Sequence, residues 1–136
     1  MISLNGENGK IEIEILGYQD ANACCNDDRN WLDCKLSVQY GCSLFVVNCA
    51  IQTYDIRMLC EELQRGQKTF KWIFPDDDAS IEFVLNDGIV THVVFLWHQK
   101  ISEEVISVSA LINVGKSSKD ISADIWSLMM EFPVLD

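Results

Sequence analysis

The sequence predicts an α+β fold, in which one antiparallel and mostly meander β-sheet of about six or seven strands has two helices packed on one face. A strand pair followed by an amphipathic helix occurs twice, from Trp31 to about Arg65 and from Ile89 to about Phe132. Most predicted strands are joined by turns too short for a parallel crossover, so neighbouring strands should run antiparallel.

Length and composition indicate one folded unit. The chain has 136 residues, close to the commonest domain size, and 49% of them are hydrophobic. A chain of this length can bury a substantial core without disulfides or a metal. We therefore expect a single domain over residues 1–136 that needs no cofactor.

The first predicted strand, Lys10–Leu16, alternates isoleucine with glutamate, which indicates one buried and one solvated face. The polar loop that follows, Gly17–Asn30, contains Asp20, Asp27 and Asp28. At about 14 residues it is longer than most connections, which suggests a functional or mobile segment.

A hairpin and a helix complete the first half. Strands Leu32–Tyr40 and Phe45–Ile51 alternate with period two around a turn at Gly41. A helix over residues 53–65 follows, with Thr53 as its N-cap and Gly66 as its C-terminal stop. Its apolar residues recur with helical spacing at Ile56, Leu59, Cys60 and Leu63.

The second half begins with a short strand, Thr69–Phe74, and an acidic turn, Pro75-Asp76-Asp77-Asp78. A strand with Ile81, Phe83 and Leu85 on one face comes next. The Asn86-Asp87-Gly88 sequence then predicts a tight hairpin, because such residues tolerate positive φ.

The last elements are two strands and a helix. Ile89–Trp97 is apolar at both odd and even positions, which predicts a central strand with both faces covered. Val105–Val114 should direct four side chains inward: Ile106, Val108, Ala110 and Ile112. Ser117 or Ser118 should cap a helix over residues 118–131, and Pro133 prevents its continuation.

The cysteines indicate a reducing compartment. Three of the six occupy core-facing positions, namely Cys34, Cys49 and Cys60, and three lie in a loop or turn, namely Cys24, Cys25 and Cys42. The sequence has no Cys-x-x-Cys pair, which disfavours a zinc ribbon or a thioredoxin-like site. Residues 1–7 lack the basic start and apolar stretch of a signal peptide. We expect reduced thiols and a cytoplasmic location.

The charge balance favours a basic protein partner. The chain has 21 acidic and 10 basic side chains, a net charge of −11. Nucleic acids and anionic membranes would be repelled, whereas a basic protein would be attracted over long range. No apolar run is long enough to span a membrane. Solubility alone is the alternative explanation of the charge.

The sequence predicts no catalytic or metal site. His92 and His98 share one strand and would lie about 20 Å apart, too far to bind one metal or act as a pair. The acids of Asp76–Asp78 are consecutive, unlike a calcium-binding loop, so a solvated turn is favoured. Glu12 and Glu14 have a spacing of about 7 Å, near that of an inverting glycosidase, but an exposed strand face explains them better.

Three short segments carry a family resemblance: Ile15-Leu16-Gly17-Tyr18, Asn30-Trp31-Leu32 and Thr53-Tyr54-Asp55. With the elements around them, they resemble the WapI-type immunity proteins, which neutralise the C-terminal toxin domains of bacterial polymorphic toxins. The resemblance covers nearly the whole chain. It implies a protein that binds a toxin domain and has no catalytic residues of its own.

These observations predict a stoichiometric inhibitor of a cognate toxin domain in bacterial competition. If the toxin is a nuclease, acidic side chains would occupy its basic active-site cleft in place of substrate phosphates. We expect partner-binding residues in two acidic loop clusters: Asp20, Asp27 and Asp28, and Asp76, Asp77 and Asp78. The alternative is an enzyme or small-ligand-binding protein with a pocket between sheet and helices. The toxin and the oligomeric state stay open.

Overall fold

In the computed structural model, which describes residues 1–76 and 78–135, the chain forms eight strands and three helices. The strands make two separate four-stranded sheets, and every neighbouring pair is antiparallel. The predicted α+β class and antiparallel pairing are confirmed. Asp77, one of the predicted partner-binding residues, lies outside the described residues.

The first sheet has the order β1-β2-β3-β4. Its strands are β1 Ile2–Gly6, β2 Gly9–Tyr18, β3 Trp31–Tyr40 and β4 Ser43–Gln52. A short helix, α1 (Asn26–Arg29), lies in the polar β2–β3 loop. The β2–β3 register shifts between Ile15 and Gly17, where Gly17 has a φ of 146° that other residues rarely adopt.

The second sheet has the order β5-β6-β7-β8. Its strands are β5 Thr69–Ile73, β6 Ala79–Asn86, β7 Ile89–Ile101 and β8 Glu104–Ser117. Two longer helices are α2 (Thr53–Arg65), which connects the sheets, and α3 (Ser118–Glu131), which follows β8.

The prediction of one sheet with six or seven strands is wrong. The α2 helix interrupts the succession of hairpins between β4 and β5, so the strands after it form a sheet of their own. The short strand β1 escaped prediction because Ile2 and Leu4 are its only apolar positions. The helices also do not pack on one face of one sheet: α2 and α3 pack on each other, and α3 contacts both β1 and β8.

Both sheets and both long helices share one hydrophobic core. Among its largest side chains with less than 2% exposure are Phe83, Phe95, Leu36 and Leu59. The predicted inward faces of the helices are confirmed by buried Ile56, Leu59, Cys60 and Leu63 on α2 and by buried Ile121, Ile125 and Leu128 on α3.

The helix termini confirm two of three predicted caps. Ser117 caps α3, since its hydroxyl accepts the Asp120 N–H at 3.1 Å, and Gly66 ends α2 in the left-handed conformation. The predicted Thr53 cap is wrong, because Gln52 is the N-cap of α2. The Asp55 carboxylate accepts the Gln52 N–H at 2.7 Å, which leaves the Thr53 hydroxyl free for another partner.

A β-bulge explains why β7 appeared apolar on both faces. Thr91 is an extra residue of β7 between the Leu85–Val90 and Val84–His92 pairs of β6 and β7, so the core-facing positions of β7 change from even to odd numbers. Val90, Val93 and Phe95 are buried, but Leu96 is 37% exposed. The expectation that both faces of this strand are covered is therefore wrong.

The β7–β8 hairpin extends beyond the rest of its sheet. Strand β6 begins at Ala79, opposite Trp97, so residues 98–107 form a two-stranded ribbon that pairs with no third strand among the described residues. Ile106 lies in this ribbon and is 46% exposed, contrary to the prediction that it faces inward. Ala110 and Ile112, which lie beside the body of the sheet, are buried as predicted.

Candidate functional site

The described acidic residues of the two predicted clusters are all exposed. Asp27 and Asp28 form the first turn of α1, and the Asp20 carboxylate accepts the Asn22 N–H at 3.1 Å. We call Asp20, Asp27 and Asp28 the loop cluster. No hydrogen bond or ion pair within residues 1–76 and 78–135 joins it to Asp76 or Asp78 of the β5–β6 turn.

Asp76 and Asp78 lie on the rim of a small cleft, which we call the turn cleft. One wall comes from the edge strand β4, another from the β5–β6 turn, and a third from Trp97 of β7. Its volume is about 60 Å³, room for the head of one side chain and far below that of a typical small-molecule site. The lining residues are Val47, Asn48, Cys49, Ala50, Phe74, Asp76, Asp78, Ala79 and Trp97.

Backbone hydrogen bonds fix the turn that carries these acids. The Phe74 N–H donates to the Ala79 carbonyl at 3.0 Å and closes the turn. The His98 N–H donates to the Asp78 carbonyl at 2.9 Å and ties the turn to β7. Since the backbone makes these bonds, the exposed carboxylates of Asp76 and Asp78 remain available to a partner.

Aromatic side chains line the turn cleft next to its acidic rim. Trp97 packs against Phe45 with ring centroids 4.9 Å apart, and Phe74 packs against Trp72 at the same distance. Sequence reasoning did not select Phe74 or Trp97, because strand alternation marked both as core residues. What it lacked was the tertiary arrangement that places part of each ring at a surface cleft.

Cys49, one of the lining residues of the cleft, lies beside the buried Cys34. Cys34 and Cys49 are direct cross-strand partners with their Sγ atoms 2.9 Å apart. The hydrogen bond from Cys34 lowers the pKa of the Cys49 thiol, against burial and the Asp76 charge, which raise it. The same contact, followed by burial, raises the pKa of Cys34. Cys49 is therefore the thiol of this pair that more readily carries negative charge.

The thiols should differ in reactivity and yet all be free. Cys24, Cys25 and Cys42 are exposed, whereas Cys34 and Cys60 are buried. Titration of native protein with a chromogenic disulfide should show three fast thiols, a slower reaction of the half-buried Cys49, and protection of the buried Cys34 and Cys60. Titration in denaturant without reductant should count six. A count of four or fewer in freshly purified protein would contradict the prediction of reduced cysteines.

Asn30, from one of the resemblance segments, joins three parts of the chain. Its side-chain amide donates to the carbonyls of Asn26 at 2.7 Å and Leu135 at 2.8 Å. Its carbonyl oxygen accepts the Thr53 hydroxyl at 3.0 Å and the Leu135 N–H at 2.7 Å. Asn30 thereby holds α1, the start of α2 and the C-terminal segment together.

Tyr18, from another resemblance segment, holds the same C-terminal segment. Its hydroxyl donates to the Pro133 carbonyl, and its ring packs edge-on against Phe132 with centroids 5.9 Å apart. Burial raises the pKa of this phenol. The resemblance segments that contain Tyr18 and Asn30 therefore hold the C-terminal segment in place, a role that the sequence alone did not indicate.

One groove of the kind that the alternative prediction requires lies between α2 and β5. It has a volume of about 280 Å³ and includes Asp55 and Trp72 among its lining residues. The Asp55 carboxylate accepts the Gln52 N–H, and the Trp72 indole donates to the Asp55 carbonyl at 3.1 Å. The Asp55 and Trp72 polar groups therefore already have hydrogen-bond partners within the protein.

Two further properties concern metals and membranes. Within the described ranges, no group of three His, Cys, Asp or Glu side chains is placed to hold a metal ion. No helix in the part of the chain that the structure describes has the length and apolar character needed to cross a membrane.

Comparison with known proteins gives one family. The sequence profile of the Immunity protein WapI-like family matches residues 1–116, which include α1, α2 and nearly all of the eight described strands. A comparison with curated protein sequences finds no match.

Proposed function

Because the chain belongs to the Immunity protein WapI-like family, we propose that it neutralises one cognate toxin domain by binding it, without catalysing a reaction. The family match over residues 1–116 is the observation that carries this proposal. The partner is a protein rather than a nucleic acid or a membrane, because a net charge of −11 repels phosphates. The cytoplasm is the proposed place of action.

Electrostatic attraction would bring the partners together. The loop cluster and the rim of the turn cleft present exposed carboxylates on segments outside the strands. Such charges accelerate association with a basic surface and lose this effect as salt screens them. The toxin surface that they meet would be rich in lysine and arginine.

The turn cleft would supply the closer contact. An arginine or lysine head of the toxin fits its small volume, where Asp76 and Asp78 can accept hydrogen bonds from the cation. The rings of Phe74 and Trp97 provide apolar and aromatic surface for the stem of that side chain. If the toxin is a nuclease, the captured cation would be one that otherwise binds substrate phosphate.

Neutralising a cluster should slow association without affecting stability. One variant changes Asp20, Asp27 and Asp28 to asparagine, and the other changes Asp76, Asp77 and Asp78 to asparagine. We expect at least one to associate about tenfold more slowly at low salt and to show a flatter salt dependence. The partner is an inactivated toxin domain encoded by the neighbouring gene, and stopped-flow fluorescence measures the rates at low and high ionic strength.

A control variant separates local steering from net charge. Changing Glu61, Glu103 and Glu131 to glutamine alters the charge by the same three units at exposed positions elsewhere. If both cluster variants associate like the parent at every ionic strength, steering through these acids is wrong, and the outward sheet face with Glu12 and Glu14 becomes the better candidate. If the parent does not bind the neighbouring toxin domain at all, the proposed function itself is wrong.

A further inference from the structure

Strand β8 forms one edge of the second sheet, and part of that edge is filled by a side chain. The side-chain Nδ2 of Asn8 donates to the Leu111 carbonyl at 2.7 Å, and the Asn113 N–H donates to the side-chain Oδ1 of Asn8 at 3.0 Å. Asn8 thereby takes the place that a residue of a neighbouring strand would occupy. At this part of the edge, the backbone groups of β8 therefore have hydrogen-bond partners within the same chain.

The rest of this edge is open. Along a strand, the N–H and C=O of one residue point to the same side, and the side alternates at each residue. The β7–β8 register is continuous from the His92–Asn113 pair to the Ile101–Glu104 pair. Val105, Ser107 and Ser109 therefore direct their backbone groups to the same edge as Leu111 and Asn113. Among the described residues, no hydrogen bond engages those groups.

The open stretch lacks the usual protection of an edge strand. Residues 105–109 read Val-Ile-Ser-Val-Ser, without a charge, a proline or a register shift. Val105 is 63% exposed and Ile106 is 46% exposed. Natural proteins block such edges with charges, prolines or bulges, since an unblocked edge pairs with another strand.

We propose that this edge pairs with the same edge of a second copy of the chain. The free stretch ends at the β7–β8 turn on one side and at the Asn8 contact with Leu111 on the other, so Ser107 is its midpoint. An antiparallel pair centred on Ser107 sets Ser107 opposite Ser107 of the second copy. The two sheets become one continuous sheet across a two-fold axis.

The side chains and charges fit this register. Val105 lies opposite Ser109 of the second copy, and Ile106 lies opposite Val108, a pair of β-branched residues that suits a strand. In a chain of net charge −11, residues 105–109 carry no charge, so no like charges are opposed within the pair. The contact leaves out both acidic clusters, and its existence does not depend on the proposed toxin partner.

Sedimentation velocity over a wide concentration range tests the dimer. The parent chain should pass reversibly from monomer to dimer at physiological salt. Ser107→Glu places two carboxylates opposite each other and should raise the dimer dissociation constant at least about tenfold. Ser107→Thr keeps an uncharged residue suited to a strand and should leave dimerisation unchanged. A parent chain that stays monomeric throughout, or a dimer unaffected by Ser107→Glu, would overturn the proposal.

Cross-linking tests the register. In a background with Cys24, Cys25 and Cys42 changed to serine, Ser107→Cys puts two thiols on strand positions about 5.5 Å apart, within reach of a disulfide. Diamide oxidises them, taking up two electrons and two protons as the S–S bond forms. The matched variant Ser109→Cys places its two thiols about 13 Å apart and should cross-link far more slowly. Equal rates for the two variants would exclude pairing centred on Ser107.

Discussion

Replacing Asn30 with alanine is expected to lower the free energy of unfolding by about 3 kcal/mol. The change removes four hydrogen bonds and leaves the Thr53 hydroxyl, which is buried, without its acceptor. Urea denaturation followed by tryptophan fluorescence should show a clearly lower midpoint with an unchanged slope. The effect is large because one side chain satisfies groups from three parts of the chain.

Asn22→Ala is the matched control for this prediction. Asn22 lies in the same polar loop, is exposed, and should change the unfolding free energy by no more than about 0.5 kcal/mol when truncated. Asn30→Asp provides a second test, because it keeps an acceptor for Thr53 but sets a carboxylate oxygen against two carbonyls. If Asn30→Ala were as stable as Asn22→Ala, the role assigned to Asn30 would be wrong.

Replacing Gly6 with alanine is expected to cost about 3 kcal/mol, although its backbone conformation suits any residue. An added Cβ would stand 1.8 Å from the carbonyl oxygen of Asn113 and 2.7 Å from its carbonyl carbon. The β1–β2 hairpin must then move away from β8, which also strains the two hydrogen bonds between Asn8 and that strand. Thermal and urea unfolding should both report the loss.

The neighbouring change Asn5→Ala serves as the control for Gly6. Asn5 lies on the same strand but is exposed, and its side chain accepts a hydrogen bond from the neighbouring Ser3 hydroxyl. We expect an effect within about 0.5 kcal/mol. A Gly6→Ala variant with parental stability would mean that the hairpin and β8 are not in close contact in solution.

Periodicity predicted the local elements well because burial acts on each of them separately. The spacing of Ile56, Leu59 and Leu63 is enough to locate α2 and its inner face. The bulge near His92 could not be predicted in the same way. Apolar residues at both odd and even positions fit a strand that is buried on both faces as well as a strand with a bulge. The division into two sheets depends on where α2 packs, which no local pattern contains.

The candidate site was likewise predictable only where it depends on local sequence. Exposure of Asp76 and Asp78 followed from their place in a turn beginning at Pro75. The cleft that they border needs Trp97 from a distant strand and Cys49 from the other sheet, and only the tertiary structure brings these together. For the same reason, the link between Asn30 and Leu135, which are 105 positions apart, left no local signal in the sequence.

The contacts of Tyr18 and Asn30 with the C-terminal segment affect how the chain folds during its synthesis. Tyr18 and Asn30 are synthesised early, but their partners Pro133 and Leu135 lie 115 and 105 positions later. Contacts over such separations require closure of very long loops, and chains dominated by them fold slowly. On the ribosome, Asn30 can therefore bond Asn26 and Thr53 before it meets Leu135, and the contacts of Tyr18 and Asn30 with residues 133–135 can form only after those residues have emerged. A nascent chain can pair strands of its first sheet early, but it gains the stability of these contacts only afterwards.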